Sequence, residues 1–352
     1  MHRASVLVIA VISASAAGLG IIAVIFPNLI PSAFLAVSMM VYVVLAGGIA
    51  VSAYAAAPRT GPEMMKRADA ERVVSEYRDI IVLLEEKNDY LIAKWDSLEQ
   101  NRKMHARDLT LARAIQRNIL PREFPASERI RCAAHYQPIE GVGGDLYDVI
   151  ALDRDIFLVI VADVAGHGVS SALIAAMLKA AIASYAVRYP SPGILLARIN
   201  KNLVQQIPTA HFVTAVAAQF NCETDTLIYA NAGHPQPLFR RGRTVSELPA
   251  RGPILGTFPA VSYTEECMTL CPGDKFVFYT DGVTDLSGHA DKREMFGGAR
   301  LSESLAHHGA LDIAGVVDGI KSDLASYTHR PDDDLTLLGV EISRKPPVRV
   351  NG

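Results

Sequence analysis

The side chains best suited to chemistry in this 352-residue chain are aspartates, and they stand where β-rich runs meet glycines. Asp145 follows Gly143 and Gly144. Asp163 ends the run Phe157-Leu-Val-Ile-Val-Ala and precedes Val164-Ala-Gly-His-Gly. Asp281 ends Phe276-Val-Phe-Tyr-Thr and precedes Gly282. Asp332, Asp333 and Asp334 lead into Leu335-Thr-Leu-Leu-Gly-Val. A carboxylate at a strand end is rigidly held, and an adjacent glycine lets backbone carbonyls and solvent come close. Several carboxylates buried together need something positive among them. An all-oxygen set without a histidine cluster suits a hard cation, Mg²⁺ or Mn²⁺. Taken singly, the same residues also read as turn formers. The Asp332–Asp334 run also reads as a solvated cap, and the cluster as a calcium site that holds loops.

Strands and helices must position these groups. β-rich runs are expected at 130–136, 145–152, 156–162, 212–221, 226–231, 237–240, 244–248, 263–270, 275–280 and 335–342. Helices are expected at 170–188, 193–206, 299–307 and 311–327, with Pro190 and Pro192 ending the first. Consecutive strands joined by short turns imply antiparallel sheets, and so few intervening helices exclude a doubly wound parallel sheet. The expected body is an α/β (α+β) sandwich: two stacked antiparallel sheets flanked by helices, over residues 120–343. Residues 344–352 read as a disordered tail.

The net charge of −3 excludes binding to nucleic acid through bulk positive charge. Charge is absent from positions 4 to 58, where two apolar runs, Ser5 to Phe26 and Ala33 to Ala57, are separated by Pro27, Asn28 and Pro31. Each run exceeds the roughly 20 residues that cross a hydrocarbon core. A transmembrane helical hairpin over 1–58 is therefore expected. Arg3 before it and Arg59, Lys66 and Arg67 after it put both ends on the cytoplasmic side. A cleaved signal peptide, with an apolar core of about 7–15 residues, fits less well. This reading makes the chain a multi-pass protein of the bacterial inner membrane with a cytoplasmic body. Cys132, Cys222, Cys267 and Cys271 form neither a zinc-site pattern nor a redox pair, as expected of a reduced compartment.

From Glu63 to about Ile119 there is no Gly or Pro, and helix formers dominate. Ala70, Tyr77, Leu84, Leu91 and Leu98 recur every seven residues. Val73, Ile80, Trp95 and Leu109 supply companion positions, and the seam weakens at Lys94, Asn101 and His105. Residues 59–119 read as a parallel coiled coil joining two copies into a homodimer.

In order along the chain stand Ala114-Ile-Gln-Arg-Asn-Ile-Leu-Pro, Val142-Gly-Gly-Asp-Leu-Tyr-Asp, Asp163-Val-Ala-Gly-His-Gly, Phe212-Val-Thr and Tyr229-Ala-Asn-Ala-Gly-His-Pro. Gly252-Pro-Ile-Leu-Gly, Pro272-Gly-Asp, Tyr279-Thr-Asp-Gly-Val-Thr-Asp, Phe296-Gly and Asp333-Asp-Leu-Thr-Leu follow. From about Leu111 to Ile342 the chain resembles the PP2C-type serine/threonine phosphatases of the bacterial stress and sporulation class. The resemblance implies two stacked antiparallel sheets with outer helices, and two bound divalent cations, Mn²⁺ or Mg²⁺. It implies hydrolysis of phosphoserine or phosphothreonine on a regulator, of the anti-sigma-factor antagonist type. Its metal ligands fall on Asp145, Asp163, the carbonyl of Val164, Asp281 and Asp333, with Thr336 anchoring the choice of Asp333. Asp163, in the tightest turn, is the expected bridging ligand.

Around these ligands Gly144, Gly166 and Gly282 shape the backbone, Asn231 and Gly233 the rim, and Asp334 stands in support. His167 and His234 read as loop-holding hydrogen-bond partners before they read as acids. Leu146 and Ala165 depart from the family pattern without removing a ligand. The rival function is a catalytically silent membrane scaffold for a signalling regulator, against which the full acidic set counts.

Overall fold

The computed structural model describes residues 63–343 apart from 140–141, 167, 189–190, 208–210, 289–293, 329–330 and 332. The chain divides into two compact units, one ending at Ala106 and the other beginning at Arg107. Helix α1 (Glu63–Ile119) has the extent expected from its lack of Gly and Pro. Pro121 stops it, because the residue before a proline avoids the α region.

Among the described residues no helix is long and apolar enough to cross a membrane. That overturns the expected multi-pass membrane placement: α1 is far too polar to span. The two apolar runs read as a hairpin lie outside the described residues, as does the tail 344–352.

Among the described residues the second unit holds ten strands: β1 (Ile130–Gln137), β2 (Leu146–Asp153), β3 (Ile156–Val164), β4 (Val213–Asn221), β5 (Thr226–Ala232), β6 (Leu238–Arg241), β7 (Thr244–Glu247), β8 (Glu266–Thr269), β9 (Lys275–Tyr279) and β10 (Leu335–Ile342). They form two five-stranded sheets, ordered β1-β10-β9-β6-β7 and β2-β3-β4-β5-β8. Every strand pair is antiparallel, as the short connections predict. Helices α2 (Val169–Tyr185) and α3 (Pro192–Gln206) pack on the second sheet. The one-turn α4 (Asp281–Thr284) follows β9, and α5 (Gly297–His308) and α6 (Ile313–Tyr327) pack on the first sheet.

The two-residue period of a strand explains the layering. In β9, Phe276 and Phe278 point between the sheets, while Val277 and Tyr279 join the outer cluster under α5 and α6. With both faces covered, β9 is buried along its whole length. Phe276 stacks on Phe239 with ring centroids 4.9 Å apart and meets Phe220 edge-on at 5.2 Å. Phe276→Ala removes the centre of this trio. It should cost about 3–5 kcal/mol of stability, measured as a shift in the chemical unfolding midpoint.

Candidate metal centre

Both sheets deliver their aspartates to one end of the sandwich. Asp145 immediately precedes β2, and Leu146 lies opposite Ala162, so Asp145 sits beside the end of β3, where Asp163 stands. In the other sheet Tyr279 lies opposite Leu337, which brings Asp281 just past β9 to the segment that leads into β10. A Cβ at Gly282 would lie 2.0 Å from the carbonyl oxygen of Asp334, so only glycine lets α4 come this close to Asp333 and Asp334. Likewise, a Cβ at Gly144 would lie 2.6 Å from the Val164 carbonyl oxygen and 3.4 Å from Oδ1 of Asp163. Gly166 turns the chain after Asp163 with a φ of 101°.

Asp145 is 2% exposed. Its Oδ2 accepts hydrogen bonds from Thr280 Oγ1 at 2.7 Å and Thr336 Oγ1 at 2.5 Å. Both hydroxyls come from the opposite sheet, where Thr280 continues the inward face of Phe276 and Phe278 and Thr336 that of Leu338 and Val340. Burial, then the facing charge of Asp163, pushes the Asp145 carboxyl well above the usual range, while the two hydroxyls pull it down. Asp163 is pushed up to about 7 by burial and then by the charges of Asp281 and Asp333. Asp281 is raised by burial and by Asp333.

The aspartate run divides its labour. Asp334 is buried, and its two oxygens accept from the backbone N–H groups of Ile139 and Gly144, each at 2.8 Å. It ties the loop before β2 to the start of β10. Asp333 is exposed, takes only the neighbouring Asp334 N–H, at 2.8 Å, among the described residues, and faces Asp163 and Asp281. Asp332 and His167 lie outside the described residues.

Ion pairs of the body lie elsewhere, among them Lys179 with Asp148, Arg241 with Asp274 and Lys275 with Glu341. None of the converging aspartates pairs with a Lys or Arg among the described residues. Nor, among those residues, do three His, Cys, Asp or Glu side chains close around one point as a ready-made cage. The carboxylates face one another in pairs instead. Mg²⁺-type ions fit such an arrangement, because they keep several waters and take one or two carboxylates each. The oxygen-only donors fit the same cations.

Asn231 and His234 form the rim. Asn231 brackets the backbone of His234, donating to its carbonyl at 2.9 Å and accepting from its N–H at 2.8 Å. His234 Nδ1 and the Thr214 hydroxyl lie 2.8 Å apart, and burial pushes the imidazole down to about 3, so it is neutral. That environment fits a loop-holding group.

Two contributors carry no role in the sequence reading. Thr280 is signalled only by its inward parity with Phe276 and Phe278. Gln116, buried near the end of α1, clasps the Gly143 peptide: its Nε2 donates to Gly143 O at 2.6 Å and its Oε1 accepts from Gly143 N at 3.0 Å. Leu120, one turn on, is buried on the core, and that i,i+4 relation is the available signal. Asp334→Asn leaves one backbone N–H facing an amide donor, so stability should fall by about 1–3 kcal/mol in chemical unfolding. Asp333→Asn should leave the unfolding midpoint unchanged.

Residues 153–343 match the family model described as Stage II sporulation protein E (SpoIIE). That stretch contains Asp163, Asp281 and Asp333, with Asp145 just ahead of it. Phosphoserine phosphatase RsbU of Bacillus subtilis (strain 168) is 28% identical over 180 residues, 51% of this chain and 53% of RsbU. Phosphoserine phosphatase RsbP of the same organism is 26% identical over 240 residues, 66% of this chain and 57% of RsbP. The chain spans about half the length of the curated relatives it matches. Among solved structures, the SiaA-PP2C domain of Pseudomonas aeruginosa has a TM-score of 0.61 at 27% identity and covers 68% of this chain and 98% of that domain. The two-sheet sandwich is thus the PP2C fold, with the acidic end in the matched region, and the chain belongs to the SpoIIE family.

Proposed function

We propose that the chain is a metal-dependent protein phosphatase that hydrolyses phosphoserine or phosphothreonine on a regulatory protein. The observation that carries this reading is the meeting of Asp145, Asp163, Asp281 and Asp333 at one end of the sandwich, without a cationic partner among the described residues. Carboxylates raised by mutual repulsion and burial are sites for cations, not for a structural ion pair. The names of RsbU and RsbP support a phosphoserine substrate. A regulator of the anti-sigma-factor antagonist type follows from the resemblance to the stress and sporulation phosphatases. We read 120–343 as the phosphatase domain.

The side chains divide the work. Asp163 faces Asp145, Asp281 and Asp333, which suits it to hold both ions, while the other three each serve one. The Val164 carbonyl, beside Gly144, adds a neutral oxygen. Thr280 and Thr336 orient Asp145, so that its other oxygen is the one turned to a ligand. Asp334 holds the loop that carries Asp145. When bound, two Mn²⁺ or Mg²⁺ ions supply a water of lowered pKa and neutralise charge on the phosphoryl oxygens. No cysteine or histidine nucleophile is needed.

α1 supplies the second half of the proposal. Leu91, Trp95 and Leu98 are 53%, 57% and 57% exposed, a row of apolar side chains at seven- and four-residue spacing. Such a row is covered by the same row of a second copy in a parallel coiled coil.

Asp163→Ala and Asp281→Ala should each abolish Mn²⁺-dependent phosphate release from a phosphoserine protein while the far-ultraviolet circular dichroism stays unchanged. EDTA should silence the unmodified chain, and added Mn²⁺ should restore it. Undiminished turnover in both variants would sink the site. The chain should sediment as a dimer at micromolar concentration, and Leu91→Asp with Leu98→Asp should make it a monomer.

A further inference from the structure

A cleft of about 480 Å³ opens beside Asp281, large enough for a side chain and its flanking backbone. Thr214, Asn231, His234, Gln236, Glu247 and Arg251 line it with Asp281. Arg251 is the one Lys or Arg among the described lining residues. Its backbone is fixed on both sides. Ala250 is buried and donates to Leu248 O at 2.9 Å. Leu255 exchanges two hydrogen bonds with Val213, at 2.8 and 3.0 Å. Gly252 lies so close to β5 that a Cβ there would be 2.4 Å from the Asn231 carbonyl oxygen. An exposed side chain on a pinned backbone is a positioned one.

The guanidinium is also oriented. The Gln236 amide, turned so that its nitrogen donates to Glu247 Oε2 at 2.7 Å, accepts from Arg251 Nε at 3.3 Å. Gln236 thereby occupies an oxygen of Glu247, which lines the same cleft. Arg251 forms no ion pair with a described carboxylate, and its two terminal nitrogens have no partner among the described residues. A planar fork of N–H donors held this way matches two oxygens of a phosphoryl group. Asp281 stands at one edge of the cleft and Arg251 in its lining, so a phosphoryl group seated towards Asp281 would meet the one cationic fork that the described lining offers.

We propose that Arg251 is the substrate-binding cation of this site, gripping the phosphoryl oxygens of a phosphomonoester whose phosphorus lies towards Asp281. Gln236 is its positioning residue. The proposal rests on the phosphatase reading, and the test separates the two. Calorimetric titration of the full, Mn²⁺-loaded chain with inorganic phosphate reads binding without turnover. Arg251→Ala should weaken phosphate binding by about tenfold or more, since a charge-assisted bidentate contact is lost. Arg251→Lys should recover part of that loss, and Gln236→Leu should give a smaller loss than Arg251→Ala. With p-nitrophenyl phosphate, KM should rise by about tenfold in Arg251→Ala while kcat changes little. Unchanged phosphate affinity and KM in Arg251→Ala, or no phosphate binding by the parent chain, overturns the assignment. Arg251-dependent phosphate binding by a chain that hydrolyses nothing upholds it and sinks the phosphatase reading instead.

Discussion

A carboxylate removed from water must find donors or cations, and this requirement organises the end of the sandwich. Asp145 is almost completely buried and meets it in part through two threonine hydroxyls from the facing sheet. The apolar layer between the sheets therefore stops at a polar seam rather than at solvent. Phe276 and Phe278 fill the layer, and Thr280, next on the same face, closes it against Asp145. The strand period that packs the core is thus the same period that aims the hydroxyl. Core and site are consecutive positions of one pattern.

The rest of the acidic end is built on backbone fit. Gly144 and Gly282 allow approaches that any side chain would block, one to the Val164 carbonyl and one to the Asp334 carbonyl. Asp334 converts its charge into scaffolding by binding two main-chain N–H groups, so the loop ahead of β2 is held from the start of β10. Gln116 grips the same loop from α1. The position of Asp145 thus depends on three separate pieces of chain, and its neighbours inherit that order.

Much of this was legible in the sequence because the strands announce themselves by parity and by their glycine-bounded ends. Every strand and the four longer helices of the body lie within a few residues of their expected places. The misses have local causes. The run expected from Tyr263 begins only at Glu266. Glu265 is diverted to accept from the Gly193 N–H at the start of α3 at 2.7 Å, and the Tyr263 carbonyl lies against Gly193. α6 starts at Ile313 because Asp312 caps it through the Gly315 N–H at 2.9 Å. The four aspartates were legible by type and by position at strand ends. The threonines that hold Asp145 were not, since they stand 135 and 191 residues away and only the closing of two sheets reveals the contact.

The split between Asp333 and Asp334 has a consequence for how this segment can change. Three identical residues precede β10, and the last two hold different posts set by their distance from Leu335. Loss of one codon from the triplet leaves two aspartates in the same register to the strand, so both posts stay filled. Insertion of any other residue between Asp334 and Leu335 shifts the register by one, so the inserted residue takes the post of Asp334 while an aspartate still fills the post of Asp333. Shortening within the triplet therefore keeps both posts, whereas a single-residue insertion one step further on removes the one that ties the loop before β2 to β10.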